Sequence, residues 1–278
     1  MTAIGGELTE EECASFCTLI YRLAGIRIPE TKRVMVSTRI RRRLRATGIA
    51  TFSAYLAHLR SAAGAAEVPL FVDEMTTNET YFYRDPHQYE WFAGEFLPQM
   101  LEQAKARKRP RSLRVWSAAS STGEELYSAA LKIQGRRKDF NGWRIKLLGT
   151  DLSGAVLKAA RAGVYDERAL RLVPEAERSR HFTHDPAARR WELSQEVRAD
   201  ATFRLHNLLE PLREDPFDCV FIKNVLIYFD EDSKKSVVKH LIASLAKGGY
   251  LVVGPSEGIF PMLGALVKHK SWLYQRPA

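Results

Sequence analysis

The chain has 278 residues but only three cysteines, Cys13, Cys17 and Cys219. Three thiols cannot build a disulfide framework, and Cys13 and Cys17 have no further cysteine nearby to complete a metal site. They read as reduced thiols of a cytoplasmic protein. Long apolar runs are also missing, since none approaches the roughly 20 residues that span a bilayer. The opening "MTAIGGELTEEE" is acidic and lacks an apolar centre, so no secretory signal is expected. Acidic residues vanish between Glu30 and Glu67, a span that holds Lys32, Arg33, Arg39, Arg41, Arg42, Arg43, Arg45 and Arg60.

What is present balances those absences. The net charge is +9, which favours an acidic partner without naming it: nucleic acid, membrane surface and acidic protein all fit. A second basic cluster, "KARKRPR", covers Lys105 to Arg111 and reads as an exposed connection because of its charges and Pro110.

Residues 8 to 70 read as helical. "LTEEECASFCTLIYRLAGI" opens with a capping box, Thr9 then Glu12, and closes at Gly25. "RVMVSTRIRRRLRATG" is a second helix with Val36, Ile40 and Leu44 as its apolar stripe. Arg41, Arg42 and Arg45 point away from that stripe, with Arg39 and Arg43 flanking it. "TFSAYLAHLRSA" is a third helix. From "LRVWSAAS" onward, buried strands alternate with helices: "RIKLLGTD" before "LSGAVLKAARAG", and "FDCVFIKN" before "DEDSKKSVVKHLIASLAKGG" and "YLVVGP". That alternation implies an α/β, doubly wound, mostly parallel sheet with helices on both faces, preceded by an all-α domain. Residues 163 to 200 break the rhythm and read as a small antiparallel β insertion. The division expected is 1–88 for the helical domain and 89–278 for the sheet domain.

In such a sheet, ligands sit outside the carboxyl ends of the strands. "SAASSTGEE" follows the first strand; its single glycine is a poor match to the G-x-G-x-x-G cradle of a dinucleotide. The paired acids Glu124 and Glu125 suit a ligand with an amino acid moiety. Asp151 ends the second strand, where an acid binds ribose hydroxyls, although it would equally cap the helix at "LSGAV". Asn207 and Leu208 in "HNLLE", and Asn224 and Tyr228 in "KNVLIYFD", complete the rim. An acid for ribose without a phosphate cradle suggests a nucleoside lacking phosphates, which S-adenosylmethionine is.

"MTTNETYFYRD", "RVWSAASSTGEELYSAAL", "LLGTDLSGAVLKAARAGVY", "DCVFIKNVLIYFD" and "KGGYLVVGPSEGI" together resemble the successive motifs of the chemotaxis receptor methyltransferases, the CheR family. The resemblance runs in order over nearly the whole chain. It implies a class I methyltransferase fold and transfer of a methyl group from S-adenosylmethionine to glutamate side chains of a chemoreceptor's cytoplasmic helical bundle, with no nucleic acid partner and no membrane insertion. A nucleic-acid methyltransferase and a non-catalytic S-adenosylmethionine-binding module are the competing classes. Carried onto matching positions, the family's cofactor contacts fall on Asn78, Thr80, Arg84, Glu124 or Glu125, Asp151, Asn207, Leu208, Lys223 and Asn224. The family's spacing favours Glu125 of the two glutamates. Lys223 stands where the family usually has Arg. Arg84 and Tyr228 are expected at the reacting centre, and Arg39, Arg42 and Arg43 are expected to meet the acidic receptor. The insertion is similar to the family's β-subdomain, which in some members docks a receptor tail peptide.

Overall fold

The computed structural model describes residues 6–278. Its first part is a four-helix unit: α1 (Glu10–Ala24), α2 (Arg33–Thr47), α3 (Phe52–Arg60) and α4 (Val68–Met75). The Thr9–Glu12 capping box forms, satisfying N–H groups that an uncapped helix start would leave bare. Gly25 and Gly48 end α1 and α2 with left-handed φ of 70° and 73°. Val36, Ile40 and Leu44 are fully buried and pack with Phe16, Ile20, Tyr55 and Phe71.

After the stretch 76–85 come α5 (Pro86–Trp91) and α6 (Leu97–Lys105), joined through a π-helical turn at Phe92–Phe96. The sheet domain then runs β1 (Ser112–Ala118), α7 (Glu124–Gln134), β2 (Arg144–Asp151) and α8 (Gly154–Ala162). The insertion holds β3 (Val164–Tyr165), α9 (Glu175–His181), β4 (Phe182–Asp185), β5 (Arg190–Leu193) and α10 (Gln195–Arg198). The chain ends with β6 (Ala201–Leu205), β7 (Phe217–Ile222), α11 (Glu231–Ser244), β8 (Leu245–Val253), β9 (Val267–Lys270) and β10 (Leu273–Gln275).

Seven strands form one sheet in the order β6-β2-β1-β7-β8-β10-β9, and β3-β5-β4 form a separate antiparallel sheet. The first five of the seven are mutually parallel; β10 and β9 are antiparallel additions at one edge. Alternate residues serve opposite faces, as strand geometry requires. Val115, Cys219 and Phe221 pack beneath α5 to α8, while Trp116, Val220 and Ile222 pack with α11. The strand order reverses at β1, between β2 on one side and β7 on the other. Register keeps the carboxyl ends level there, pairing Ala118 with both Thr150 and Ile222. A crevice at such a reversal is the place this topology offers a ligand.

Candidate active site

The carboxyl ends of β1, β2, β6 and β7 open into a cleft with about 950 Å³ of atom-free space, open solvent included. The polar stretch 76–81 covers one side, and Ala24 and Ile26, from the end of α1, form another wall. The backbone around the cleft is strained. Tyr83, Asp85, Ala119, Ser121 and Asn224 all hold left-handed φ between 49° and 63° without being glycine. Each costs on the order of 1 kcal/mol or more, an expense met by the packing around it. Gly123, at φ 94°, is required: a Cβ there would meet Ala160, Phe203 and Tyr127 at 3.0–3.1 Å. It lets the chain turn from β1 into α7 against the β2–β6 side.

Asp151 lies at the end of β2, nearly buried. Its two carboxylate oxygens accept from the backbone N–H groups of Ser121 (2.9 Å) and Ser153 (3.0 Å). It therefore both fixes the turn after β1 and steadies the entry to α8. Burial raises its carboxyl above the ordinary range, with the Ser153 and Ser121 bonds opposing.

The two adjacent glutamates part company. Glu125 lines the cleft. Its carboxylate accepts from Ser117 Oγ at 2.7 Å and lies 3.4 Å from Lys223 Nζ. Burial raises its carboxyl, and Lys223 pulls the other way. Glu124 turns away from the cleft, buried beneath the Thr122 hydroxyl at 2.6 Å, and burial pushes its carboxyl up to about 7. Of the two glutamates expected as alternatives, the cleft is lined by Glu125 and not by Glu124; one step along a helix rotates a side chain by about 100°.

Lys223 is buried at the end of β7. Its ammonium donates to the Arg84 carbonyl oxygen at 2.7 Å, lies 3.6 Å from Asp85, and sits over the Tyr89 ring. It holds the strained Tyr83–Asp85 turn against β7 and α7. Arg84 reaches the cleft half-buried, donating to the Glu79 carbonyl at 3.2 Å and lying over the Tyr81 ring. No carboxylate pairs with it among the described residues. Asn78 donates to Thr76 Oγ1, and its own carbonyl accepts from Ser121 Oγ, tying the covering stretch to the β1 turn. Thr80, Leu208 and Tyr228 also line the cleft. Asn207 lines it too, but its side chain is committed: Nδ2 donates to the Leu23 carbonyl and Oδ1 accepts from Leu209 N–H.

Three polar atoms buried at the cleft have no hydrogen-bond partner among the described residues: Asn224 Oδ1, Ser120 Oγ and His206 Nε2. Buried polar atoms are normally paired, and these three belong to residues that line the cleft. Two buried carboxylates, an orphan amide oxygen and hydroxyls suit an ammonium group and ribose hydroxyls. They would repel phosphates.

The basic helix is less available than its sequence suggested. Arg43 forks onto Glu67 through Nε and Nη2 at 2.8 and 2.9 Å, and Tyr55 donates to the same carboxylate at 2.7 Å. Arg39 donates to the Met75 carbonyl and to Thr77 Oγ1. Both are half-buried and held by partners within the chain, so they are less free to meet a partner than Arg42 and Arg45. Arg42, bonded to Glu74 at 2.9 Å, remains exposed, as does Arg45.

Sequence reasoning missed Glu257. Its carboxylate is fully buried and accepts from the consecutive backbone N–H groups of Asn224, Val225 (3.1 Å) and Leu226 (2.7 Å). The available signal was an acid between two glycines in "GPSEG", directly after a buried strand.

A mostly parallel seven-stranded sheet with an acid closing β2 and a cleft suited to a phosphate-free nucleoside defines a class I S-adenosylmethionine-dependent methyltransferase. The chain belongs to the CheR family: residues 11–76 match "CheR methyltransferase, all-alpha domain", and residues 78–271 match "CheR methyltransferase, SAM binding domain". It is 35% identical over 87% of its length to a probable chemotaxis protein methyltransferase of Rhizobium etli, covering 90% of that protein. It is also 35% identical to chemotaxis protein methyltransferase 1 of Vibrio cholerae, with 93% and 92% of the two chains covered. The protein is therefore a methyltransferase whose cofactor is S-adenosylmethionine. Among the described residues no helix is long and apolar enough to cross a membrane.

Proposed function

We propose that the enzyme methylates glutamate side chains on the cytoplasmic helical bundle of a chemoreceptor. The observation that carries this reading is Arg84, a cleft arginine whose guanidinium has no carboxylate partner among the described residues. An incoming glutamate supplies that partner through charge-assisted hydrogen bonds. When bound, S-adenosylmethionine supplies a methyl group on a sulfonium and is left as a neutral thioether. A carboxylate oxygen of the acceptor forms the new O–CH₃ bond as the C–S bond breaks, and no proton moves. The acceptor is already ionised at neutral pH, so the chain's task is to align the groups and exclude water. Glu125 receives the cofactor's ammonium, Asp151 its ribose hydroxyls, and Asn224 Oδ1 a further donor. Asn78 and Thr80 close over it, and Leu208 packs against the base. Tyr228, more than a third exposed, stands at the mouth where the acceptor enters. Arg84 must hold the carboxylate without stabilising the ground state more than the transition state.

The four-helix unit, with Arg42 and Arg45 exposed on α2, is the part we assign to receptor recognition. The test is incubation with methyl-labelled cofactor and receptor cytoplasmic fragments. Base-labile label on glutamate supports the reading; label on nucleic acid, or none on the receptor, overturns it. Arg84→Ala should reduce turnover at least tenfold with thermal stability nearly unchanged, and a folded variant with full activity would make Arg84 structural.

A further inference from the structure

Glu257 lies outside the cleft, touches none of its open space, and is fully buried. A buried carboxylate without a cation directly on it is expensive, and burial raises its carboxyl accordingly. What it receives is three successive backbone N–H bonds from residues 224 to 226. The fold makes room for this arrangement. A Cβ on Gly254 would lie 2.5 Å from Glu257 Oε1 and 3.0 Å from Lys223 Cα, so only glycine lets the end of β8 approach. Gly258, at φ 67°, turns the chain immediately after the acid.

The residues it grips are those that follow β7 into the cleft. Asn224 is held at φ 59°, a region costly for any residue with a Cβ though least so for Asn. It lines the cleft with its Oδ1 buried and unpartnered. Glu257 Oε1 bonds the Asn224 N–H, while Oε2 takes both Val225 and Leu226. We infer that Glu257 is a positioning residue, which holds Asn224 in its left-handed conformation so that the amide oxygen faces the cofactor. This rests on the cleft being the cofactor site.

The test is a double-mutant cycle on cofactor affinity, read by calorimetry with S-adenosylhomocysteine, so that no turnover is needed. Glu257→Gln removes one of the two acceptor oxygens and leaves part of the 224–226 backbone unpaired. Asn224→Ala removes the side-chain amide and adds some strain at a φ that Asn tolerates better than Ala, so Asn224→Gly, which removes the amide without that strain, is read beside it. Each should weaken binding by about tenfold, the scale of a lost buried hydrogen bond. If Glu257 acts through Asn224, the double variant binds within about twofold of the weaker single variant. Multiplied losses in the double variant would overturn the inference, since they mean independent effects. Unchanged affinity in Glu257→Gln with a lowered Tm would also overturn it, leaving a purely structural staple. Unchanged affinity in Asn224→Ala would instead unseat the cofactor site on which the inference rests. Should Glu257→Gln fail to fold, Gly254→Ala, which crowds the same carboxylate, enters the cycle with the same expected coupling and the same overturning outcome.

Discussion

Asp151 spends both carboxylate oxygens on the backbone of its own fold, so removing it disturbs structure as well as any ligand. Asp151→Asn is the cleaner probe because one acceptor oxygen survives. It should weaken cofactor binding by about 1–3 kcal/mol in calorimetry, the range for a hydrogen bond involving a charged group. Equal affinity would take Asp151 off the ribose. Glu124 makes a different prediction. Burial lifts its carboxyl to about 7, so the fold favours the neutral form. Between the ordinary carboxyl value and about 7, the native state keeps a proton that the unfolded chain has released. Stability from this group is therefore greatest in acid, falls as pH rises through that window, and is level above it. Glu124→Gln should stabilise the protein more at pH 8 than at pH 5, by roughly 2–3 kcal/mol. A pH-independent difference in unfolding free energy would show that Glu124 is ionised in the fold.

On helix α2 the arginines divide by direction. Arg43, Glu67 and Tyr55 form a nearly enclosed triad. Burial would raise the Glu67 carboxyl, yet bonds from Arg43 and Tyr55 hold it below its usual range. Arg43→Ala strands that carboxylate and should cost about 3 kcal/mol, seen in denaturant unfolding. Arg42→Glu with Arg45→Glu tests the outward face: receptor methylation should slow, and added salt should slow the wild type in the same direction, with cofactor affinity unchanged. Equal rates at low salt would reduce this face to solvation. The direction of Arg43 was not legible in the sequence, because it depends on Glu67 arriving from 24 residues away. Elements with clear periods and caps, α1 to α3 and the alternating strands and helices of the sheet, were legible. The stretch α5 to α6 was not, since Gly94 and Pro98 interrupt its pattern and a π-helical turn shifts its register. Strand β9 is exposed throughout and carries no alternation to read. The ends of β1, β2 and β7 pointed to the Glu124–Glu125 pair, Asp151 and Asn224 because topology places strand ends together; the preference for Glu125 came from the family resemblance. Glu257 escaped because its role lies in backbone bonds, which the glycines flanking it hint at but do not specify.

Across the whole molecule, the helical unit is part of the cleft wall. Ile26 forms a bridge with Phe229, Arg27 N–H donates to the Tyr228 carbonyl at 2.7 Å, and Tyr21 donates to Asp230 at 2.5 Å. Leu152 packs into the helical core from the sheet side. Gly25 sits at the centre of this seam: a Cβ there would lie 3.1 Å from Phe229 and 3.2 Å from Leu209, at a φ that disfavours one. Gly25→Ala should cost about 1–2 kcal/mol of stability and weaken cofactor binding together. Loss of stability with full affinity would mean that the seam and the cleft are independent. The seam carries a larger consequence. Because Ala24 and Ile26 line the cleft, a cofactor bound there would touch both halves of the chain and should clamp them together. Filling the cleft should then slow amide exchange in the last turn of α1, outside the sheet domain. Coupling of this kind is reciprocal: a receptor that binds the helical unit better in its clamped position must tighten the hold on the methyl donor by the same factor. The enzyme would keep its donor longest when an acceptor is already at the door.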